Sequence, residues 1–390
     1  MKKNILFITP YFAPSWGYGG PPKVLHILSK ELTRRGFNIN VATTDAFDEK
    51  RIGNLRETLN GVKIYRFRNI SNYLAYQYKL FFVPDFLKKI KELINKADYI
   101  LFSDLRPIMH WQIYKYVKHM NKSYGIFAFG QIPYDSGVKA IIKKFFDFLW
   151  VKDFVRNASL RFAQTPHEQK MYQKYFGIDS KDTQLLYLPV EGNPGIAYSP
   201  DLPKKYNLTE NNFILLYVGR FNYLKGIDLL IDAIIPLINI NKNIKLVLIG
   251  RDDGIENQIR KIVPKELSLN IIFIGPKYQE QTQVWYKIAS CFILTPRYFE
   301  ETSLAALEAL SFGTPVIVTK EADIPYLEKY QAGRVIPNEK KDIQEAILSL
   351  YNLWQTKKDK LRNNALNLIS QKYKADIIAL KLNKYLENII

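Results

Sequence analysis

Short apolar runs rich in β-branched and aromatic residues alternate along this chain with amphipathic stretches of about 10 to 16 residues. Such alternation is typical of βαβ units, in which helices connect the parallel strands of one sheet. A segment dense in Pro and Gly, residues 185–198, interrupts the series once. The 390 residues are therefore predicted to form two doubly wound α/β domains joined by one linker, with the carboxyl ends of both sheets facing a shared cleft.

The strands are predicted where the apolar runs lie. In the first half they are residues 5–9, 38–44, 62–67, 99–103, 124–129 and 160–165. In the second half they are residues 213–218, 244–249, 271–274, 291–295, 315–319 and 334–336. Helices such as 21–35 fill the intervals, and residues 340–390 are predicted to be successive helices without a strand.

Charge and composition indicate which ligands the chain attracts and argue against a membrane-spanning or secreted protein. The net charge is +19, and residues 1–190 carry 30 Lys and Arg against 15 Asp and Glu, whereas residues 191–390 carry 26 against 22. Such a field attracts phosphates, nucleic acid or an anionic membrane surface. No apolar run approaches the roughly 20 residues that a membrane span needs, and the apolar start is broken by Pro10 too early for a secretory signal. The single cysteine, Cys291, excludes an internal disulfide, and we expect a cytoplasmic protein.

The most informative segment is residues 295–316, predicted as a strand, a polar loop, a short helix and another strand. Thr302 or Ser303 can cap the helix, and Gly313 can end it in a left-handed conformation. The N–H groups of residues 301–304 and the helix dipole favour a phosphate or sugar oxygens. Glu300 lies in the loop and Glu308 lies within the helix, where a carboxylate can accept both hydroxyls of a ribose.

A second segment, residues 216–228, places Gly219 and Arg220 at the end of a strand and Lys225 at the start of a helix. Two fixed cations can stabilise the charge that gathers on a departing nucleoside diphosphate without a metal. A third segment, residues 14–22, contains Gly19 and Gly20 between the first strand and the first helix. These glycines either allow close backbone approach to a ligand or form a tight turn that caps the helix.

The spacing Glu300, seven residues, Glu308, followed by Ala-Leu-Ser-Phe-Gly-Thr-Pro-Val, resembles the donor-binding motif of glycosyltransferase family 4, the retaining enzymes of the GT-B fold. The resemblance covers nearly the whole chain. It implies that Glu300 contacts the hydroxyls of the donor sugar, Glu308 holds the nucleotide ribose, and Arg220 and Lys225 clamp the diphosphate. It also implies that the Gly19-Gly20 turn lies near the donor phosphates.

The fold that follows from this resemblance is GT-B, two Rossmann-like domains whose C-terminal helices cross back to the first domain. We expect residues 1–190, completed by 373–390, to bind the acceptor and residues 191–372 to bind the nucleotide sugar. The expected catalytic residues are Arg220, Lys225 and Glu300. The expected donor-binding residues are Gly19, Gly20, Gly219, Arg251, Lys277, Tyr278, Glu301, Thr302, Ser303, Leu304 and Glu308, of which Arg251, Lys277 and Tyr278 follow strands in the second domain and are equally consistent with ordinary polar loops.

The acceptor side departs from the family pattern. Many relatives have a basic residue, often His, before the Gly that ends the fifth strand of the first domain, and this chain has Phe129 there. Asp104, Arg106 and Gln131 are the candidate acceptor contacts. The four histidines have no spacing that indicates a metal site, and Cys291 is expected to be inert core, so no metal or other cofactor is expected.

A basic and aromatic segment, residues 143–156, could contact an anionic membrane surface or could be a partly buried domain helix. The side chains that favour peripheral membrane contact are Lys79, Phe81, Phe82, Phe86, Lys88, Lys89, Lys91, Lys143 and Lys144.

The sequence thus predicts a retaining glycosyltransferase that moves a hexose from a nucleoside-diphosphate sugar to a glycan or lipid-linked glycan acceptor in surface polysaccharide, lipopolysaccharide or glycoprotein glycan synthesis. Two alternatives stay open. A sugar-nucleotide epimerase of GT-B type would share the fold and the ribose contact. A non-catalytic nucleic-acid-binding protein would use the basic half but lacks a recognition module, so nucleic acid is not an expected partner.

Overall fold

The computed structural model describes residues 2–134, 137–192, 201–322 and 324–389. The chain divides into two compact units, an N-terminal unit of Met1–Pro189 with Ala375–Ile390 and a C-terminal unit of Val190–Lys374. Residues 193–198 of the predicted linker lie outside the described residues. No helix of the described part of the chain is both long and apolar enough to span a bilayer.

The strands, in chain order, are β1 Asn4–Ile8, β2 Asn38–Thr44, β3 Arg56–Leu59, β4 Val62–Phe67, β5 Tyr99–Ser103, β6 Tyr124–Phe127, β7 Leu160–Ala163, β8 Gln184–Leu185, β9 Phe213–Val218, β10 Ile244–Ile249, β11 Ile271–Gly275, β12 Cys291–Leu294, β13 Val316–Thr319 and β14 Gly333–Ile336.

The α-helices are α1 Gly20–Arg34, α2 Asn72–Tyr78, α3 Phe86–Lys96, α4 Ile108–His119, α5 Val138–Phe146, α6 Lys152–Arg156, α7 Pro166–Phe176, α8 Asp201–Lys205, α9 Ile227–Ile240, α10 Glu256–Lys261, α11 Glu280–Ile288, α12 Leu304–Ser311, α13 Lys340–Leu368 and α14 Ala375–Glu387. Two π-helical turns, Asp147–Val151 and Ile369–Tyr373, join α5 to α6 and follow α13.

The N-terminal unit has a sheet of strand order β3-β4-β2-β1-β5-β6-β7-β8 among its described residues. All the pairings are parallel except that of β3 with β4. Strands β1 and β5 are apolar on both faces because helices cover the sheet on both sides. The chain order reverses between β1 and β5, and in open α/β sheets ligands bind at the carboxyl ends of such a pair.

The last helix belongs to the N-terminal unit. Helix α14 packs on α1, and the Arg35 guanidinium donates to the Asp376 carbonyl oxygen at 2.6 Å. Leu382 and Leu386 are fully buried there. The predicted return of the C-terminal helices to the first domain is confirmed.

The C-terminal unit has a parallel sheet of order β11-β10-β9-β12-β13-β14 within the described residues. Its order is that of a dinucleotide-binding Rossmann sheet, with the reversal between β9 and β12. Helix α9 is strongly apolar and packs against α13, which covers one face of this sheet. The prediction of two Rossmann-like α/β units is confirmed.

The strands predicted from sequence periodicity differ from the observed ones in two ways: two observed strands were not predicted, and some predicted strands are longer than the observed ones. Strand β3 has the sequence Arg-Glu-Thr-Leu at a solvent-exposed sheet edge, so it lacks an apolar run, and β8 has two residues. Strand β6 ends at Phe127, because Phe129 and Gly130 have positive φ angles. Strand β7 ends at Ala163, because Thr165 caps α7 by accepting from the Glu168 N–H at 3.0 Å.

Candidate active site

The loops that follow β9 and β12 meet at the strand-order reversal of the C-terminal unit. After β9 the chain passes through Gly219 and Arg220, then a 3-10 turn, Tyr223–Lys225, and enters α9 at Gly226. Gly226 has φ +63°, and a Cβ there would lie 2.1 Å from the Thr295 carbonyl oxygen at the end of β12. A glycine is therefore required for the two loops to approach this closely.

Lys225 and Glu300 form an ion pair across this junction. The Lys225 Nζ donates to Glu300 Oε2 at 2.5 Å, and both side chains are about one-fifth exposed. Two segments separated by 75 residues thus place their predicted catalytic side chains in direct contact.

A second ion pair, which sequence reasoning missed, fixes the same two loops. The Arg297 guanidinium donates to both carboxylate oxygens of Asp228 at 2.8 and 2.6 Å and to the Tyr223 carbonyl oxygen at 2.8 Å. It also stacks over the Tyr223 ring at 4.1 Å. These hydrogen bonds hold the pKa of Asp228 below its usual range and raise that of Arg297. The two residues lie within the segments that sequence reasoning selected, but nothing in their 69-residue separation indicates the pairing.

Asp253, in the candidate loop that begins at Arg251, contacts two arginines at the carboxyl end of the neighbouring strand β10. Its carboxylate accepts from Arg220 Nη1 at 3.2 Å and from Arg251 Nη2 at 3.5 Å. The Arg220 side chain is half exposed, and Asn222 donates to the same Asp253 oxygen at 3.3 Å. A carboxylate between two guanidinium groups keeps both at the carboxyl end of the sheet and can yield them to a more highly charged phosphate.

Helix α12 begins at the far end of the Glu300 loop. Ser303 is its N-cap and accepts from the Ala306 N–H at 3.5 Å, and Gly313, with φ +78°, follows its end. Glu301 is 2% exposed with φ 61°, and Thr302 is 6% exposed, whereas Leu304 at the first helical position is half-buried. The helix dipole and the N–H groups of this turn point toward the Glu300 loop.

Glu308 lies within α12, and one of its oxygens is positioned by a tyrosine of α11. The Tyr286 hydroxyl donates to Glu308 Oε2 at 3.1 Å. Tyr286 is 1% exposed, and its burial raises the pKa of its hydroxyl well above the usual value. Glu308 is half-buried, and the Tyr286 contact positions one of its carboxylate oxygens. Sequence reasoning had no signal for Tyr286, because α11 precedes the motif by a whole strand.

The remaining donor candidates lie at strand ends of the same unit. Gly219 follows β9, and a Cβ there would lie 2.8 Å from the Tyr217 hydroxyl. Lys277 is half-buried and Tyr278 is 45% exposed in the loop after β11. The structure brings neither into contact with Glu300 or Glu308 in the described hydrogen bonds.

The glycine-rich segment lies at the carboxyl end of β1 in the N-terminal unit. Gly19, with φ +105°, is the N-cap of α1, and Gly20 is the first helical residue, followed by Pro21 and Pro22. Nothing lies within 4 Å of a Cβ built on Gly19, so its backbone faces open space. The segment therefore forms the helix-capping turn, and its backbone is also open to a ligand.

Asp104 is the centre of a buried polar network at the carboxyl end of β5. It accepts from the Tyr11 hydroxyl at 2.8 Å, from the Ser103 hydroxyl at 3.1 Å and from the Gln131 amide. It is 2% exposed with φ 67°, and its burial raises the pKa of its carboxyl to about 6 despite these hydrogen bonds. Two acceptor candidates, Asp104 and Gln131, are thus joined.

Arg106, the third acceptor candidate, is held by several hydrogen bonds within the N-terminal unit. Its guanidinium binds the buried Asp147 carboxylate at 2.8 and 2.9 Å and donates to the carbonyl oxygens of Gln131 and Ile132. These contacts use most of the Arg106 donors to fix the turn after β6 to the π-helical turn that follows α5, and a contact of Arg106 with the acceptor stays a prediction.

Phe129, at the position where the family resemblance predicts a basic residue, stacks in a row of aromatic rings. Its ring stacks on Phe127 at 5.5 Å between centroids, and Phe127 stacks on Phe162 at 4.6 Å. Phe129 is half-buried with φ 48°, an unusual conformation for a bulky residue.

The histidines, the cysteine and the carboxylates of the described residues do not cluster into a metal site. No group of three or more His, Cys, Asp or Glu side chains there is placed to hold a metal ion. His110 is buried beside Phe102, and burial lowers its pKa to about 3. Cys291 is fully buried in β12, and burial raises the pKa of its thiol.

Comparisons with known proteins agree with this architecture. Residues 199–368 match the family model of glycosyl transferases group 1. An uncharacterized glycosyltransferase of Methanocaldococcus jannaschii is 25% identical over 94% of each chain. The lipopolysaccharide 1,2-N-acetylglucosaminetransferase of Salmonella typhimurium is 30% identical over 32% of this chain and 34% of its own. The crystal structure of Anabaena HepE in complex with UDP, at 18% identity, superposes with a TM-score of 0.71 over the full length of both chains.

Proposed function

We propose that this chain, a glycosyltransferase of the GT-B fold, is a retaining hexosyltransferase that uses a nucleoside-diphosphate sugar. The match of residues 199–368 to the family model of glycosyl transferases group 1 supports the proposal. The proposed acceptor is a glycan or a lipid-linked glycan of surface polysaccharide or lipopolysaccharide assembly. The similarity to the Salmonella transferase over part of the chain supports this acceptor class.

The contact between Lys225 and Glu300 carries the proposal. A nucleoside-diphosphate sugar carries hydroxyl groups next to a diphosphate. The ion pair places a carboxylate, which can accept hydrogen bonds from the hydroxyls, next to an ammonium group, which can bind the diphosphate. In our proposal Glu300 accepts from the sugar hydroxyls, and Lys225 and Arg220 contact the diphosphate. Glu308, oriented by Tyr286, accepts from the ribose hydroxyls. The UDP in the crystal structure of the similarly folded HepE supports a nucleoside diphosphate as the ligand.

In the proposed reaction the bond from the anomeric carbon to the diphosphate oxygen breaks, and a bond to the acceptor oxygen forms on the same face. The acceptor proton passes to the departing diphosphate oxygen. Lys225 and Arg220 stabilise the negative charge of this leaving group. This stabilisation is stronger in a site of low dielectric constant than in water. We propose that transfer needs no metal ion, and activity should then persist in excess chelator.

The acceptor is proposed to bind the N-terminal unit at the carboxyl ends of β5 and β6. Gln131 and the Asp104 network supply polar contacts there, and Phe129 supplies an aromatic face of the kind on which sugar rings stack. We further propose that the protein works on the cytoplasmic side of the membrane as a peripheral protein.

A two-step assay tests the function. Nucleotide sugars are first screened by thermal shift, and the stabilising donor is then incubated with lipid-linked and soluble glycan acceptors, with the anomeric configuration of the product determined by NMR. We expect sugar transfer with retention, and Arg220→Ala should lose turnover more than donor affinity. Isomerisation of the donor without an acceptor, or transfer unchanged in Arg220→Ala, would reject the proposal.

A further inference from the structure

Helix α5 and the π-helical turn after it expose an apolar face. Five side chains within nine consecutive residues are more than half exposed, which is the densest such cluster among the described residues. They are Ile141 (68%), Ile142 (51%), Phe145 (58%), Phe148 (80%) and Leu149 (55%). Together they present on the order of 600 Å² of surface, which matches the largest apolar patches of monomeric proteins.

The opposite face of this segment is fixed in the core. Asp147 is fully buried and binds Arg106, and it also accepts from the Tyr134 hydroxyl at 2.9 Å. Trp150 and Val151 are buried beside it. The helix cannot rotate its outer residues inward without breaking the Asp147–Arg106 pair. The exposed face is therefore a built feature of the N-terminal unit.

The charges around the face select its partner. Lys144 and Lys152 are exposed at its border, Asp147 points inward, and the exposed Asp153 beside Lys152 is paired with Lys118 at 2.8 Å. A second copy of this chain would bring like charges together. An anionic lipid surface instead offers acyl chains to the aromatic residues and phosphates to the lysines.

We propose that residues 141–149 are a membrane-docking face that inserts Phe145, Phe148 and Leu149 into an anionic leaflet while Lys144 and Lys152 contact its phosphates. The sequence analysis predicted membrane contact for a wider set of lysines and phenylalanines. Of those, Phe81 and Phe86 are core residues at 2% and 1% exposure and cannot contribute.

Co-sedimentation with vesicles of phosphatidylcholine and phosphatidylglycerol in equal amounts tests the docking face. The wild type should bind these vesicles, bind pure phosphatidylcholine vesicles more weakly and be released by salt. Substituting Phe145, Phe148 and Leu149 together by Ser should weaken binding about tenfold or more. The matched control is Ile240→Ser with Leu269→Ser, since these residues are 86% and 61% exposed in the other unit and should not affect binding.

A fluorescence measurement separates insertion from surface contact. Cys291 is fully buried, so a solvatochromic maleimide on Phe148→Cys labels position 148 selectively. Its emission should shift to the blue with anionic vesicles. Wild-type protein that stays in the supernatant, a triple variant that sediments like wild type, or a dimer that the triple variant abolishes without any vesicle binding would each overturn the proposal.

The docking face stands independently of the proposed reaction. The triple variant should keep its affinity for the nucleotide and its transfer to a soluble acceptor. Vesicle binding without any transferase activity would reject the proposed function alone, and transferase activity without vesicle binding would reject the docking face alone.

Discussion

The Lys225 ammonium group lies 2.5 Å from the Glu300 carboxylate, although 75 residues separate the two. The pair joins the loop after β9 to the loop after β12, the two strands between which the order of the sheet reverses. The ion pair of Arg297 with Asp228 joins the same two segments of the chain. Because both loops are fixed in this way, the pair is preorganised before a ligand binds.

Removing the Lys225 charge should slow the chemical step more than it weakens donor binding. We expect Lys225→Met to lower kcat by about 10²–10³ because the leaving diphosphate loses a fixed cation. Steady-state kinetics with varied donor measure this. Lys242→Met is the matched control, since Lys242 is an exposed lysine of the same unit that donates to Asn239. A higher donor KM at unchanged kcat would show that Lys225 only binds.

The Tyr286 hydroxyl is predicted to orient Glu308 for the ribose. Loss of one hydrogen bond to a charged group costs about 1.5–3 kcal/mol, so Tyr286→Phe should weaken nucleotide binding about tenfold or more. Isothermal titration calorimetry measures the change. Tyr330→Phe serves as the control because the Tyr330 hydroxyl donates to Gln371 elsewhere in this unit. Equal losses in the two variants would argue for a general effect on folding.

Gly226 should be intolerant of any side chain. Alanine there carries both the strain of a positive φ and a 2.1 Å approach to the Thr295 carbonyl oxygen. We expect Gly226→Ala to lower the free energy of unfolding by about 3–5 kcal/mol. Gly254→Ala, at φ +103° with open space around it, isolates the strain and should cost about 1–2 kcal/mol. Urea denaturation distinguishes the two, and similar losses would mean that the loops separate easily.

Asp104 should make stability depend on pH. Burial raises the pKa of its carboxyl from 3.8 to about 6, so between these values the folded state binds the proton more tightly than the unfolded state does. The free energy of unfolding should therefore fall as the pH rises through this window, by about 3 kcal/mol relative to Asp104→Asn. Urea titrations of both proteins from pH 4 to pH 7 measure the difference. Parallel pH profiles would show that the carboxyl is not buried in this way.

The sequence predicted the two Rossmann-like units and most of their strands, because buried parallel strands are continuous apolar runs that periodicity detects. It could not predict β3, whose polar residues depend on pairing with β4. Local rules narrowed the cap of α12 to Thr302 or Ser303, of which Ser303 is the cap, and they located the left-handed Gly313.

Contacts between distant segments lay beyond the sequence. Three contacts join segments more than 20 residues apart: Tyr286 with Glu308, Arg220 with Asp253, and Arg297 with Asp228. A fourth, Arg251 with Asp253, depends on a turn whose geometry no sequence motif defines. Arg106 was assigned to the acceptor because it follows β5, but its partner Asp147 lies on a helix 41 residues away. Partners that are distant in the sequence decide whether a charged side chain is available to bind a ligand or is used to stabilise the fold.

The most direct test of the proposed donor site is calorimetric titration of nucleoside diphosphates into the wild type, Glu308→Ala and Glu345→Ala. Glu345 is an exposed carboxylate on α13 of the same unit and controls for the loss of one negative charge. We predict that a nucleoside diphosphate binds the wild type and Glu345→Ala equally and that Glu308→Ala abolishes binding. Undiminished binding by a folded Glu308→Ala variant would contradict the assignment of Glu308 and, with it, of the donor site.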